Sequence, residues 1–217
     1  MMADGADMRA DAQEAVRALR GRISQLDQDS IDLILGDARS HYAWTDRPVP
    51  LDMLRTLFDI VIAGPTSMNT CPARFIFVTS DAAKDKLALS LKEKNIEKMR
   101  AAPVTVIVAW DPNYWQRLDF LFPHENRKPL FENNAAFAHD TAYRNSTLQG
   151  AYLMIAARAL GLDVGAMSGF SNKIVDETFF AENGWKSNFL CNIGYADETA
   201  LYQKLPRFKF DDVCSVI

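Results

Sequence analysis

Apolar residues recur every three or four positions from Leu51 onward, at Leu54, Leu57, Phe58, Val61 and Ile62. This spacing predicts an amphipathic helix that Gly64-Pro65 closes, with a loop after it. The β-branched and aromatic stretch from Arg74 to Thr79 predicts a strand, and the Lys- and Glu-rich stretch from Ala82 to Met99 predicts a helix whose Lys84, Lys86, Lys92 and Lys94 form a solvated face. Val104 to Trp110 is apolar without a break, the pattern of a buried strand. The stretch from Pro112 to Asn134 is irregular and aromatic, with Trp115, Phe120, Phe122, Pro123 and Phe131. Loops of that length in compact domains are usually functional or mobile.

The longest predicted helix runs from about Ala135 to Leu160, with Leu148, Ala151, Tyr152, Ile155, Ala156 and Ala159 as its apolar stripe and Gly161 as its stop. A glycine-bearing loop to Gly169 follows, then a helix beginning near Ser171, a strand about Asn188 to Tyr195, and a C-terminal segment ending in Arg207 to Ile217. Ahead of all of these, residues 1–28 form an arm rich in Ala, Asp and Arg, with Val16, Leu19, Ile23 and Leu26 at near-helical spacing. The expected organisation is therefore an N-terminal arm, 1–28, and one domain, 29–217. Helices and strands mix without the regular βα alternation of a doubly wound sheet, which points to an α+β fold.

Composition narrows the classes. The chain has 217 residues, 48% of them apolar and 24% charged, the balance of a globular domain rather than a disordered one. The formal charge of −4 is spread without a basic stripe, so nucleic acid is not an expected partner. Cys71, Cys191 and Cys214 are odd in number and far apart, which argues for a reducing compartment and for buried thiols rather than disulfides. Met1 to Ala10 lacks the basic start and apolar middle of a secretory signal, and no apolar run approaches the roughly 20 residues of a membrane-spanning helix. A cytoplasmic protein that does not enter a membrane is expected.

Chemistry carried by side chains alone finds little support. There is no G-x-G-x-x-G after a strand and no G-x-x-x-x-G-K-[ST]. His41, His124 and His139 are solitary, so no metal site is expected. Ala166-Met167-Ser168-Gly169 is not a nucleophile elbow, which leaves Ser168 as a turn residue or a ligand contact. A bound cofactor becomes the natural source of reactivity.

Several segments, in order, carry a resemblance to one family. Ala38-Arg39-Ser40-His41-Tyr42-Ala43-Trp44 is similar to an R-R-S-x-R-x-F pattern, with Ala38 and Tyr42 where basic residues are usual. Gly64-Pro65-Thr66-Ser67-Met68-Asn69-Thr70-Cys71-Pro72-Ala73-Arg74-Phe75 resembles A-P-S-x-x-N-x-Q-P-W-x-F, with Cys71 and Ala73 replacing Gln and Trp. Gly161-Leu162-Asp163-Val164-Gly165-Ala166-Met167-Ser168-Gly169-Phe170 resembles G-L-G/D-x-x-x-x-x-G-F, and Leu205-Pro206-Arg207-Phe208 matches a C-terminal element. Read singly, these are a surface arginine, a turn and a helix-to-helix loop. Together, over about Ile31 to Ile217, they resemble the nitroreductase-family flavoenzymes. Within that family Gly64 to Ser67, Pro72 to Arg74, Thr141-Ala142-Tyr143-Arg144-Asn145 and Met167 to Phe170 are similar to the malonic semialdehyde reductases of uracil degradation.

The resemblance implies a nitroreductase-like α+β sandwich, a mixed sheet flanked by helices, in an intertwined homodimer with FMN at the interface. It implies Arg39, Ser40 and Arg207 on the FMN phosphate and ribityl chain, and Thr66, Ser67 and Asn69 against the isoalloxazine. Asn95 would meet the pyrimidine, and the backbone N–H groups of Ser168 and Gly169 the N5 and O4 edge, where they stabilise negative charge. The reactive centre is then flavin N5 and no side chain is a catalyst. NADH or NADPH, between which no ribose-reading motif chooses, would reduce the flavin, and an aldehyde, nitro or quinone acceptor would reoxidise it. Malonic semialdehyde going to 3-hydroxypropanoate is the expected reaction; a broad nitro or quinone reductase and a flavin-binding protein without turnover are the alternatives. A carboxylate-bearing acceptor needs a guanidinium anchor, for which Arg144 and Arg74 are the candidates.

Overall fold

A computed structural model describes residues 5–217; the first four positions of the expected arm and of its charged start lie outside the described residues. The described chain divides into two compact units, the first ending at Ala38 and the second spanning Arg39–Ile217. The first unit holds α1 (Gly5–Arg22), α2 (Gln28–Ile31) and a π-helical turn, Asp32–Gly36. Asp27 caps α2, its carboxylate accepting from the Ser30 N–H at 2.8 Å.

In the second unit α3 (Leu51–Ile62) leads through a short 3-10 turn, Ser67–Asn69, to β1 (Ala73–Val78), then α4 (Asp81–Ala88), α5 (Glu93–Ala101) and β2 (Val104–Trp110). A 3-10 turn at Tyr114–Arg117, α6 (Leu118–Leu121) and α7 (Lys128–Glu132) precede the long α8 (Ala135–Ala159). β3 (Asp163–Met167), α9 (Asn172–Phe179), β4 (Lys186–Gly194) and α10 (Phe210–Val213) complete the chain. The strands lie in the order β1-β2-β4-β3, every neighbouring pair antiparallel. Parallel pairing occurs among the described residues only as the bridge Ser40↔Val164 at the β3 edge.

β2 explains the layering. All seven of its residues are buried. Val104, Val106 and Val108 face a core made with Leu54, Leu57 and Val61 of α3 and Leu153 and Ala157 of α8. Ile107 and Ala109 face the opposite core with Leu87 of α4, Met99 of α5 and Val175 of α9. A strand covered on both faces has no polar side to show, hence its unbroken apolar run. Among the described residues no helix is long and apolar enough to cross a membrane.

Five expectations are corrected. The helix expected over Ala82 to Met99 is two helices, because the chain between them pairs elsewhere: Leu91 bridges Phe170, and the Ser90 carbonyl accepts from the Ser171 N–H at 2.8 Å. Lys84 is buried instead of solvated, its ammonium donating to the carbonyls of Arg100 at 3.1 Å and Ala102 at 2.6 Å, which satisfies the end of α5. Burial pushes its pKa down. The stretch from Gly161 to Gly169 contains β3 rather than being loop throughout. On α8 the buried face runs through Ala138, Thr141, Ala142, Asn145, Gln149 and Leu153, while Leu148 and Ala159 of the expected stripe are exposed. Of the cysteines only Cys191 is buried, which pushes its thiol up to about 12; Cys71 is half-buried and Cys214 exposed.

Candidate functional site

The segment after residue 38 lies along the β3 edge. Ser40 bridges Val164, and the His41 N–H donates to the Val164 carbonyl at 3.0 Å. Gly165 is what permits this approach, since a Cβ there would sit 2.3 Å from the His41 carbonyl oxygen. Asp163 ties the same segment to the far end of β4, facing His41 Nε2 at 3.2 Å and accepting from the Ala196 N–H at 2.9 Å. Arg158 of α8 donates to the Arg39 carbonyl at 3.1 Å, and the Arg39 guanidinium donates to the Tyr202 carbonyl. Arg39 and Ser40 are thus held by strand pairing and by two long-range contacts.

His41 and Trp44 are nearly buried, 9% and 8% exposed, and His41 Nδ1 and Trp44 Nε1 have no hydrogen-bond partner. Burial lowers the His41 pKa; Asp163 pulls it up, but the positive charges of Arg158 and Arg39 reinforce the burial. The charged imidazolium is therefore disfavoured relative to a free histidine. Trp44 also lines a groove of about 630 Å³ together with Tyr42, Lys98 and Tyr202. The Lys98 ammonium stands 4.6 Å from the centre of the Tyr42 ring.

Asn95 and Lys98 are three residues apart on α5 and so share a face. The Asn95 amide donates to the Gly169 carbonyl at 3.1 Å, and the Lys92 N–H donates to the same carbonyl at 3.3 Å. A Cβ at residue 169 would lie 2.6 Å from Asn95 Nδ2. Asn95, Ser168 and Gly169 are therefore together just beyond the end of β3.

The loop between α3 and β1 is strained: Met68, Asn69 and Cys71 have φ of 50°, 51° and 40°, in the left-handed region. Such residues cost about 1–3 kcal/mol each and persist only where the surroundings over-determine them. Here the surroundings do so. Asn145 and Gln149 of α8 accept from the N–H groups of Ser67 at 2.8 Å and Ala73 at 2.9 Å, and the Tyr152 hydroxyl donates to the Pro65 carbonyl at 2.9 Å. Thr66 Oγ1 accepts from the Cys71 N–H at 3.1 Å, and Asn69 Nδ2 donates to the Leu121 carbonyl at 2.8 Å. Arg74 clamps the exit of the loop, bonding the carbonyls of Cys71, Pro72 and Ala73 and pairing with Asp111 at 2.7 Å. Ser67 is exposed.

The remaining candidates stand apart. Arg207 is exposed and donates to the carbonyls of Leu205 and Pro206 beside it. Arg144 is exposed on α8, without an ion pair among the described residues, at a shallow groove with Tyr143 and Leu148. Neither hydrogen-bonds to another candidate residue. Of the two arginines expected to anchor a carboxylate, Arg144 is thus exposed while Arg74 is already paired with Asp111.

Sequence reasoning missed His41 with Asp163, Trp44, Lys98, and the supports Asn145 and Gln149. A signal existed for the supports: Thr141, Asn145 and Gln149 recur every four residues on the longest helix, a polar stripe that a buried role explains.

The profile of the Nitroreductase family matches residues 36–195. A provisionally named NADH dehydrogenase/NAD(P)H nitroreductase of Stenotrophomonas maltophilia is 49% identical over 191 residues, covering 88% of this chain and 97% of that protein. Among solved structures, a nitroreductase from Bacillus subtilis superposes with a TM-score of 0.79 at 17% identity, covering 88% of this chain and all of that one. A nitroreductase from Exiguobacterium sibiricum, solved in complex with FMN, does so with a TM-score of 0.76 at 22% identity, covering 89% and 99%.

Proposed function

This chain belongs to the nitroreductase family, and from that premise we propose that it is an FMN-dependent NAD(P)H oxidoreductase, working as a homodimer, that reduces malonic semialdehyde to 3-hydroxypropanoate. The observation that carries the reading is the junction of Asn95 with Gly169, where a side-chain amide meets a backbone without a Cβ, on the helix whose Lys98 lines the Trp44 groove.

The residues present fit a flavin mononucleotide. A flat heterocycle needs donors and acceptors along its edge and a backbone that can come close, which Asn95, Ser168 and Gly169 offer. The unpartnered, buried Trp44 N–H is a further donor lacking an acceptor. A phosphate wants a guanidinium fork and a hydroxyl, which Arg39 and Ser40 provide, with Arg207 as a third contributor. Thr66, Ser67 and Asn69 would present the strained loop to the ring. Bound FMN supplies two-electron hydride chemistry, from NAD(P)H to an acceptor. This chain's own part is to hold the group, to donate N–H groups to its edge and to position the acceptor; overall the aldehyde gains two electrons and two protons.

The homodimer is supported by what is left uncovered. Tyr143 and Leu148 on α8, and Leu205, Phe208, Phe210 and Val213 in the C-terminal segment, are large, apolar and exposed. Exposed apolar side chains on these two segments are surface that a partner would cover, and a second copy is the occupant the family fold implies.

Malonic semialdehyde rests on the four segments named above. The relative's name favours the second reading, a broad nitroreductase. Turnover of the purified protein decides between them: a kcat/KM for malonic semialdehyde well above that for a nitroaromatic supports the first, and the reverse order establishes the second.

A further inference from the structure

We propose that the cavity between the Thr70–Cys71 turn and the segment Tyr114–Leu121 binds the carboxylate of a small organic acid, with Arg117 as the charge that captures it and Thr70 as its hydroxyl partner. The proposal rests on the oxidoreductase reading only in making that acid the acceptor.

The cavity is about 350 Å³, at the lower end of small-molecule sites. Its walls are apolar where Tyr114, Phe120 and Leu121 contribute, and the Tyr114 hydroxyl is turned to the Ala138 carbonyl at 3.3 Å, so Tyr114 offers only its ring. Asn69 Nδ2, bonded to the Leu121 carbonyl, ties one wall to the other. The same strained loop that carries Thr66, Ser67 and Asn69 therefore forms one side of this cavity, which sets it beside the residues expected to meet the flavin.

Besides the Cys71 thiol, which contacts Thr66 Oγ1 and Asn69 Oδ1, three polar side chains line it, and their commitments differ. Arg74 is spent: its guanidinium pairs with Asp111 and bonds three carbonyls of the loop exit. Arg117 lies on the 3-10 turn, exposed, and its guanidinium has neither a hydrogen bond nor an ion pair among the described residues. The one carboxylate near it in sequence, Asp119, is taken by Lys128. Thr70 is 0% exposed and its hydroxyl has no partner, an arrangement that proteins avoid unless something else supplies one. An uncompensated guanidinium, a buried and unused hydroxyl and apolar walls together suit a short acid whose carboxylate meets the fork of Arg117. Arg144, by contrast, lies on an open groove among whose lining residues no buried polar atom is left unpaired.

The test is calorimetric titration of the purified protein, with whatever cofactor it carries, using 3-hydroxypropanoate as probe and uncharged 1,3-propanediol as comparator. Saturable binding of the acid and none of the diol is expected. Arg117→Ala should raise Kd at least tenfold, Arg117→Lys should restore part of it, and Thr70→Val should raise it with unchanged far-UV circular dichroism. If Thr70→Val does not fold, the two Arg117 variants decide. Absence of acid binding, a Kd indifferent to Arg117→Ala, or a loss reproduced by Arg144→Ala instead would overturn the proposal. Arg117-dependent binding in a protein without flavin would keep the cavity and sink the oxidoreductase reading; flavin-dependent turnover with acid binding indifferent to Arg117 would do the opposite.

Discussion

Asn95 and Gly169 are fitted to each other: the Asn95 amide donates to the Gly169 carbonyl at 3.1 Å, and a methyl group at 169 would start 2.6 Å from that amide nitrogen. The clash is with the tip of a side chain, so the fold can yield at little cost while the amide is displaced. Gly169→Ala should therefore lower FMN affinity at least tenfold, about 1.4 kcal/mol, with little change in stability. Gly165→Ala meets the His41 backbone carbonyl instead, at 2.3 Å, which cannot swing aside. That variant should lose about 1–3 kcal/mol of stability, the usual range for overpacking. Urea titration and flavin-binding titration of both variants check the contrast, and equal stability losses would contradict it.

His41 gives the stability a pH dependence of known sign. Burial holds its folded pKa below the ordinary 6.5, with Arg158 and Arg39 adding to the effect and Asp163 opposing it. A depressed histidine binds its proton more readily in the unfolded chain, so its contribution is complete above about pH 6.5 and is lost as pH falls through the folded value. The urea midpoint of the wild type should fall from pH 7.5 to pH 5 by more than that of His41→Asn. Parallel profiles for the two proteins would mean that other groups carry the acid sensitivity.

Arg207→Ala should weaken FMN binding by about 1.5–3 kcal/mol, the scale of one charge-assisted hydrogen bond. Arg207 now bonds only the carbonyls of Leu205 and Pro206 in an exposed segment, so the fold has no stake in it. Fluorescence titration of the apoprotein reads the effect, and an unchanged affinity would remove the C-terminal segment from the site.

Leu148 is 42% exposed on α8 and lines the same shallow groove as Tyr143. Under the homodimer reading Leu148→Arg places a charge in the interface and should shift the protein toward monomer. Sedimentation velocity at micromolar concentration measures this, with the wild type expected as a dimer; a monomeric wild type would refute the assembly.

How much of this was legible in the sequence varied with how local the cause was. The α3 helix and the β2 strand are written in period and run length, because Leu54, Leu57 and Val61 of α3 meet one core and β2 is covered on both faces, although Phe58 and Ile62 of the expected α3 stripe are exposed. The inward face of α8 was misread, because Asn145 and Gln149 are buried by bonds to backbone N–H groups 78 and 76 residues away, which periodicity cannot see. The break between α4 and α5 and the strand character of Gly165 likewise depend on distant partners, Phe170 and the His41 segment. Of the proposed site, Arg39, Ser40 and Gly169 could be picked out because their segments resemble family patterns in order, and Asn95 only through what that resemblance implies. Arg117 and Thr70 could not, since an arginine in an irregular stretch and a threonine in a turn become informative only once a cavity joins them.

The central claim is that this protein works through a bound FMN. Its most direct test is to purify the protein, release any chromophore by denaturation and identify it by mass, then mix the intact protein with NADH and NADPH in a stopped-flow spectrometer. The account predicts FMN, bleached by at least one of the two nicotinamides and recoloured by malonic semialdehyde. Release of FAD, or a colourless protein that takes up no added FMN, would contradict it.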